Sequence, residues 1–143
     1  MSTRPANVIP TLRYRDATKA IAWLCDAFGF ERHAVYADGD VVHHAQLLVR
    51  SGDTRGMIMC SSARDDAFGK LQAPPIPGAP ATQSAYIVVE DADLHHARAV
   101  AHGAVVVYPL TSEDYGGRGY SCRDPEGHLW NFGTYDPWAA ASV

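Results

Sequence analysis

The stretch Tyr115–Trp138, YGGRGYSCRDPEGHLWNFGTYDPW, constrains this chain more than any other. Asp124-Pro125-Glu126-Gly127 is a tight-turn signature, because proline fixes one φ and glycine supplies a positive one. Tyr120–Arg123 before it and His128–Tyr135 after it both suit strands, so the spacing predicts a hairpin. Along the second strand Leu129, Asn131, Gly133 and Tyr135 share one face; His128, Trp130, Phe132 and Thr134 share the other. Asn131 then sits mid-strand among apolar neighbours, where a polar group needs a partner or a ligand. Gly116, Gly117 and Gly119 form a permissive loop leading in.

The remainder supplies elements in a repeating order. Val8–Tyr14 reads as a strand, with Pro10 near its start. Asp16 caps a helix whose apolar stripe is Ala17, Ala20, Ile21, Leu24 and Phe28, broadened by Trp23, and Gly29 ends it. Strands follow over 30–36, 41–49 and 56–61, the first two joined by the Asp-Gly turn at 38–39. Residues 62–82 break the rhythm. A short helix is expected over 64–71; then Pro74, Pro75, Pro77, Gly78 and Pro80 forbid regular structure, leaving either a linker or a lid. The order restarts with a strand over 84–89. A helix capped by Asp91 runs to His102, with Leu94, Ala97, Val100 and Ala101 expected inward. A strand over 104–110 and the hairpin complete it. Asp16-Ala17…Gly29 and Asp91-Ala92…Gly103 hold matching places, which is an internal duplication in architecture.

On these residues, and on RDPEGHLWNF in particular, the chain resembles the vicinal oxygen chelate superfamily of glyoxalase I, extradiol dioxygenases, fosfomycin thiol transferases and bleomycin-binding proteins. HAQL at 44–47 and DYGGRGYSCRDPEGHLW are similar to its PhnB-like, bleomycin-resistance-like branch. The resemblance implies an α+β fold of tandem βαβββ modules, forming a curled mixed sheet around a cavity with the helices outside. It spans 1–143 as one domain, with half-modules at about 7–61 and 83–137 joined by the Pro-rich loop 62–82. It also implies a homodimer, the commonest symmetric assembly.

Metal-dependent members of that family draw His, Glu or Gln ligands from the first and last strands of each module. The matching places here are Ile9 or Pro10, Met59, Ser84 and Asn131, a poor set for a divalent cation. No HExxH or paired Cys-x-x-Cys replaces it. His43 and His44, adjacent on a strand, are expected to face opposite ways. The expectation is therefore no metal and no other cofactor, which counts against glyoxalase isomerisation, ring cleavage and fosfomycin opening. A ligand neighbourhood is expected at Trp23, His44, Met59, Tyr86, Tyr115, Arg118 and Asn131. Arg118 would orient an anionic group and the aromatics would supply apolar area. Trp23, like Met57 and Phe132, suits a core better than a site. No catalytic residue is assigned. His44 with Tyr115 or Arg118 is the best acid–base pair available, and Asp124 is expected to hold its turn.

Twelve basic and sixteen acidic residues give a net charge of -4, without the basic face a nucleic-acid binder needs. MSTRPANVIP carries no signal-peptide pattern and no stretch is long and apolar enough for a membrane span, so a cytoplasmic protein is expected. Cys25, Cys60 and Cys122 read as reduced small hydrophobes. Three functions stay open: a small-molecule binding protein, a glyoxalase-like lyase or isomerase, and a non-catalytic protein-interaction subunit.

Overall fold

The computed structural model describes residues 5–140. The chain divides into two compact units, Met1–Ala79 and Pro80–Val143. Each is a βαβββ module with its own four-stranded mixed sheet, so the eight strands form two sheets.

In the first unit, β1 (Thr11–Tyr14), α1 (Ala17–Phe28), β2 (Glu31–Asp38), β3 (Val41–Ser51) and β4 (Thr54–Ser62) build a sheet ordered β1-β4-β3-β2. β1 runs parallel to β4, and the other pairs are antiparallel. The Asp16 carboxylate caps α1 by accepting from the Lys19 N–H at 3.1 Å, and the chain leaves the helix at Gly29. α1 lays Ala17, Ile21, Leu24, Ala27 and Phe28 against the sheet face that carries Ala45, Leu47, Ile58 and Cys60. Leu24 and Leu47 are fully buried, each worth roughly 1.5–3 kcal/mol of transfer free energy. β1 is shorter than its apolar run suggests, beginning only after Pro10, which has no N–H to give the ladder.

β3 does not alternate throughout. Tyr36 pairs with His44 and Ala37 with Val42, so His43 is an extra residue bulged from the ladder. The bulge leaves His43 exposed and His44 half-buried, between the buried Val42 and Ala45. After β4 ends at Ser62, residues 63–82 contain only a single 3-10 turn at Phe68–Lys70. Residues 68–75 of this segment are pinned to β1 and to Arg15 just after it. The Gln72 amide donates to the Thr11 carbonyl at 2.9 Å, Arg15 donates to the Pro75 carbonyl at 2.6 Å, and the Arg13 guanidinium lies 5.0 Å from the Phe68 ring centroid.

In the second unit, β5 (Ala85–Val88), α2 (Ala92–Ala101), β6 (Val105–Ser112), β7 (Arg118–Arg123) and β8 (Leu129–Gly133) give the order β5-β8-β7-β6. Asp91 caps α2 through the Leu94 N–H at 3.0 Å. The inward face of α2 is not the one expected. Leu94, Ala97, Val100 and Ala101 are exposed, while Ala92 and Ala99 are buried with His95 and His96 half-buried beside them. The aromatic side of the hairpin explains the rotation. His95 packs at a tilt on Phe132, ring centroids 4.0 Å apart, and its Nδ1 lies 2.6 Å from the Tyr120 hydroxyl, while His96 meets Tyr120 edge-on at 4.9 Å. Flat imidazoles that pack on rings and satisfy a buried phenol outcompete Leu and Val for this face.

The predicted hairpin is present: β7 pairs with β8 from Gly119↔Gly133 to Arg123↔Leu129. Asp124 is 3% exposed and holds the turn. Its carboxylate accepts from the N–H groups of Glu126 and His128, both at 3.0 Å, and from the Trp130 indole at 3.1 Å. No helix among the described residues is long and apolar enough to cross a membrane.

Candidate functional site

Each sheet has one face under its helix and one without. In the second unit the helix-free face carries Gly119 and Ser121 of β7 with Asn131 and Gly133 of β8, because Tyr120, Cys122, Trp130 and Phe132 point to α2. These four small residues pair directly, Gly119 with Gly133 and Ser121 with Asn131, and make the floor of a cavity of about 360 Å³. Four tyrosines, Tyr86, Tyr108, Tyr115 and Tyr135, supply its aromatic wall, and Glu113 adds a carboxylate.

Local packing sets the wall. Tyr86 lies over Gly133 so closely that a Cβ there would meet its hydroxyl at 2.6 Å; that hydroxyl donates to the Tyr135 carbonyl at 2.7 Å. Tyr115 meets Tyr135 edge-on at 5.0 Å. Gly117 has φ 79°, and a Cβ on it would meet the Tyr135 backbone nitrogen at 2.6 Å, so the glycine loop is where backbone passes close to backbone. Tyr108 arrives by irregularity. Val106 pairs with Cys122 and Tyr108 with Ser121, leaving Val107 as an extra residue, and a second shift follows before Thr111. Burial raises the phenol pKa values of both Tyr86 and Tyr115. Tyr115 adds further to the shift at Tyr86, and Glu113 to that at Tyr115.

Asn131 has found its partners. Its amide nitrogen donates to Ser84 Oγ at 2.7 Å and to the Ala85 carbonyl at 2.9 Å; its oxygen accepts from the Ser121 hydroxyl at 2.7 Å. The Ala85 carbonyl can only accept, which fixes the orientation of the amide. Two of the four places matching the family's ligand positions, Ser84 and Asn131, are thus bonded to each other.

Arg118 lines this cavity, but its guanidinium is engaged within the protein. It shares the phase of Tyr120 on β7, and its Nε and Nη2 donate to the Asp93 carboxylate on α2, Nε at 3.1 Å, while Nη1 donates to Ser112 Oγ at 3.2 Å. The other expected residues lie in the first unit. His44 and Met59 share the helix-free face of that sheet, where His44 stacks on Tyr36 and bonds Gln46 through Nε2 at 3.0 Å. Trp23 goes elsewhere: it rides on α1, edge-on to Phe28 at 4.9 Å, on the opposite side of the sheet. The second unit therefore brings together Tyr86, Tyr115 and Asn131. Tyr108, Glu113 and Ser121 were not anticipated, and Pro109, which breaks the ladder of β6, was the available signal for Tyr108.

Burial pushes the Cys60 and Cys122 thiols up to about 12, with Cys25 adding to the first and Asp124 to the second, so both stay protonated near neutral pH and are poor nucleophiles. No group of three or more His, Cys, Asp or Glu side chains among the described residues converges as metal ligands would.

The profile of the Glyoxalase/Bleomycin resistance protein/Dioxygenase superfamily matches residues 8–132. The chain belongs to that superfamily. Among solved structures, TioX from Micromonospora sp. ML1 is 31% identical with a TM-score of 0.67, over 90% of this chain and 97% of that one. FosX from Listeria monocytogenes, a fosfomycin resistance protein solved with Mn(II) and sulfate, is 15% identical with a TM-score of 0.63, over 98% of each chain. At that identity the likeness is one of fold. No curated protein matches the sequence. Membership in the superfamily supports small-molecule binding or a related activity.

Proposed function

We propose that this superfamily member is a small-molecule binding protein that works without the family's metal and takes its ligand in the tyrosine-walled cavity of the second unit. The observation that carries this reading is the hydrogen-bonded lock of Asn131 with Ser84, Ala85 and Ser121. A metal site needs lone pairs converging on one point, about 2.0–2.3 Å away. Here the Asn131 oxygen already accepts a bond and its nitrogen donates two. Neither isoleucine nor proline offers a side-chain donor at 9 and 10, and the Met59 thioether is a soft ligand. The residues present do not fit a divalent cation.

The same geometry weakens a metal-free lyase. Stabilising an enediolate calls for a polariser aimed at the developing charge, and the Arg118 guanidinium is engaged with Asp93 and Ser112. What remains is shape, aromatic area and a few polar points, which is what a binding pocket needs.

Protein purified without chelator should hold far less than one equivalent of Zn, Ni, Fe or Mn by elemental analysis. It should not turn over the glutathione–methylglyoxal hemithioacetal. A retained equivalent of metal, lost together with activity in His44→Ala, would sink the reading in favour of a metalloenzyme. The protein is further proposed to act as a homodimer. Light scattering at micromolar concentration should give about twice the 15.5 kDa of the chain, and the monomer mass would refute that.

A further inference from the structure

We propose that the cavity of the second unit selects planar aromatic cations over neutral or anionic ligands of the same shape. This rests on the binding reading above and names its ligand class. The floor is bare of side chains at Gly119, while the Tyr86 ring covers Gly133, so a flat ring entering here packs over Gly119 and against the tyrosine walls. Aromatic rings present a negative face, and a cation over that face is attracted by the ring quadrupole.

The polar inventory has the same sign. Glu113 lines the cavity, and among the described residues it forms no ion pair. Asp136 is close enough to raise the Tyr86 phenol pKa, behind burial and Tyr115 in effect. The donors of the floor are spent inside the protein, the Ser121 hydroxyl on Asn131 and the Asn131 amide on Ser84 and Ala85, and in the wall the Tyr86 hydroxyl is spent on Tyr135. Nearby cations are turned elsewhere. Arg118 is held by Asp93 and Ser112, and Arg123 donates through Nη1 to the Gly127 carbonyl at 2.7 Å. A ligand entering here meets tyrosine rings, phenol hydroxyls and a carboxylate, and the guanidinium of Arg118, which also lines the cavity, is engaged with Asp93 and Ser112. A positive planar ring fits that field, whereas a carboxylated one would be repelled.

Three fluorescent probes of one shape test this: N-methylacridinium, acridine (neutral in mildly alkaline buffer) and acridine carboxylate. They are titrated against the wild-type protein, Glu113→Gln and Tyr115→Ala, with circular dichroism confirming that each variant folds. The cation should bind about tenfold tighter than acridine, with the anion weakest. Glu113→Gln should reduce the cation's advantage severalfold and leave acridine unchanged, and added salt should weaken the cation alone. Tyr115→Ala should weaken both the cation and acridine. If acridine or its carboxylate binds as tightly as the cation, the charge preference is refuted while the binding reading stands. If none of the three binds folded wild-type protein, both fall.

Discussion

Asp124→Ala should destabilise the protein by about 3–5 kcal/mol, visible as a large drop in the urea midpoint. The carboxylate is 3% exposed and accepts from the backbone N–H groups of Glu126 and His128 and from the Trp130 indole. Alanine leaves three donors without that acceptor in a place where water enters poorly. Each buried orphan costs about 1–3 kcal/mol. Some rearrangement of the turn recovers part of that sum, hence a loss toward its lower end. A domain of this size has about 5–15 kcal/mol in total, so the variant should be close to unfolding. Asp124→Asn keeps one acceptor oxygen and much of the shape, and its loss should be clearly smaller. A fall of less than about 1 kcal/mol for the alanine variant would show that the turn is held by its Pro-Gly backbone rather than by the carboxylate.

That turn was legible because its chemistry is local. Asp124, Pro125 and Gly127 act within four residues of each other, as Asp16 and Asp91 do at the starts of their helices. The phase of β8 was also legible, and with it the face that Asn131 shares with Gly133. Which partners Asn131 would take was not, because Ser84 is 47 residues away and Ser121 is on the opposing strand. Three other features escaped for related reasons. Apolar periodicity ranks Leu94 and Val100 above His95 and His96, yet the rings of Tyr120 and Phe132 reward flat polar side chains. Arg118 looked like a free cation in a mobile loop, and its acceptor Asp93 lies on a helix 25 residues earlier. Bulges at His43 and Val107 reset strand alternation, and no period-2 reading anticipates them.

Gly119→Ala should cost about 2–4 kcal/mol, for a reason unlike the usual glycine argument. Gly119 is not among the glycines of positive φ, so its own backbone would accept a side chain. The obstacle is the neighbouring strand: a Cβ would sit 2.6 Å from the Phe132 carbonyl oxygen and 3.1 Å from Gly133 Cα. Backbone cannot swing aside as a side chain can, so β7 and β8 would have to part locally and lengthen their ladder bonds. Overpacking alone costs about 1–3 kcal/mol, and stretched strand pairing adds to it. Gly133→Ala is the discriminating control on the facing strand. Its Cβ would meet the Tyr86 hydroxyl at 2.6 Å and Cε1 at 3.2 Å, the far end of a side chain that can turn away. That variant should lose only about 1 kcal/mol, mostly the bond from Tyr86 to the Tyr135 carbonyl. Ligand binding should nonetheless suffer, because one wall of the cavity has moved. Thermal melts and probe titrations on the two variants should therefore dissociate, Gly119→Ala losing chiefly stability and Gly133→Ala chiefly binding. Equal losses of stability would show that Tyr86 is as fixed as the strands beneath it, and the cavity would then be part of the core.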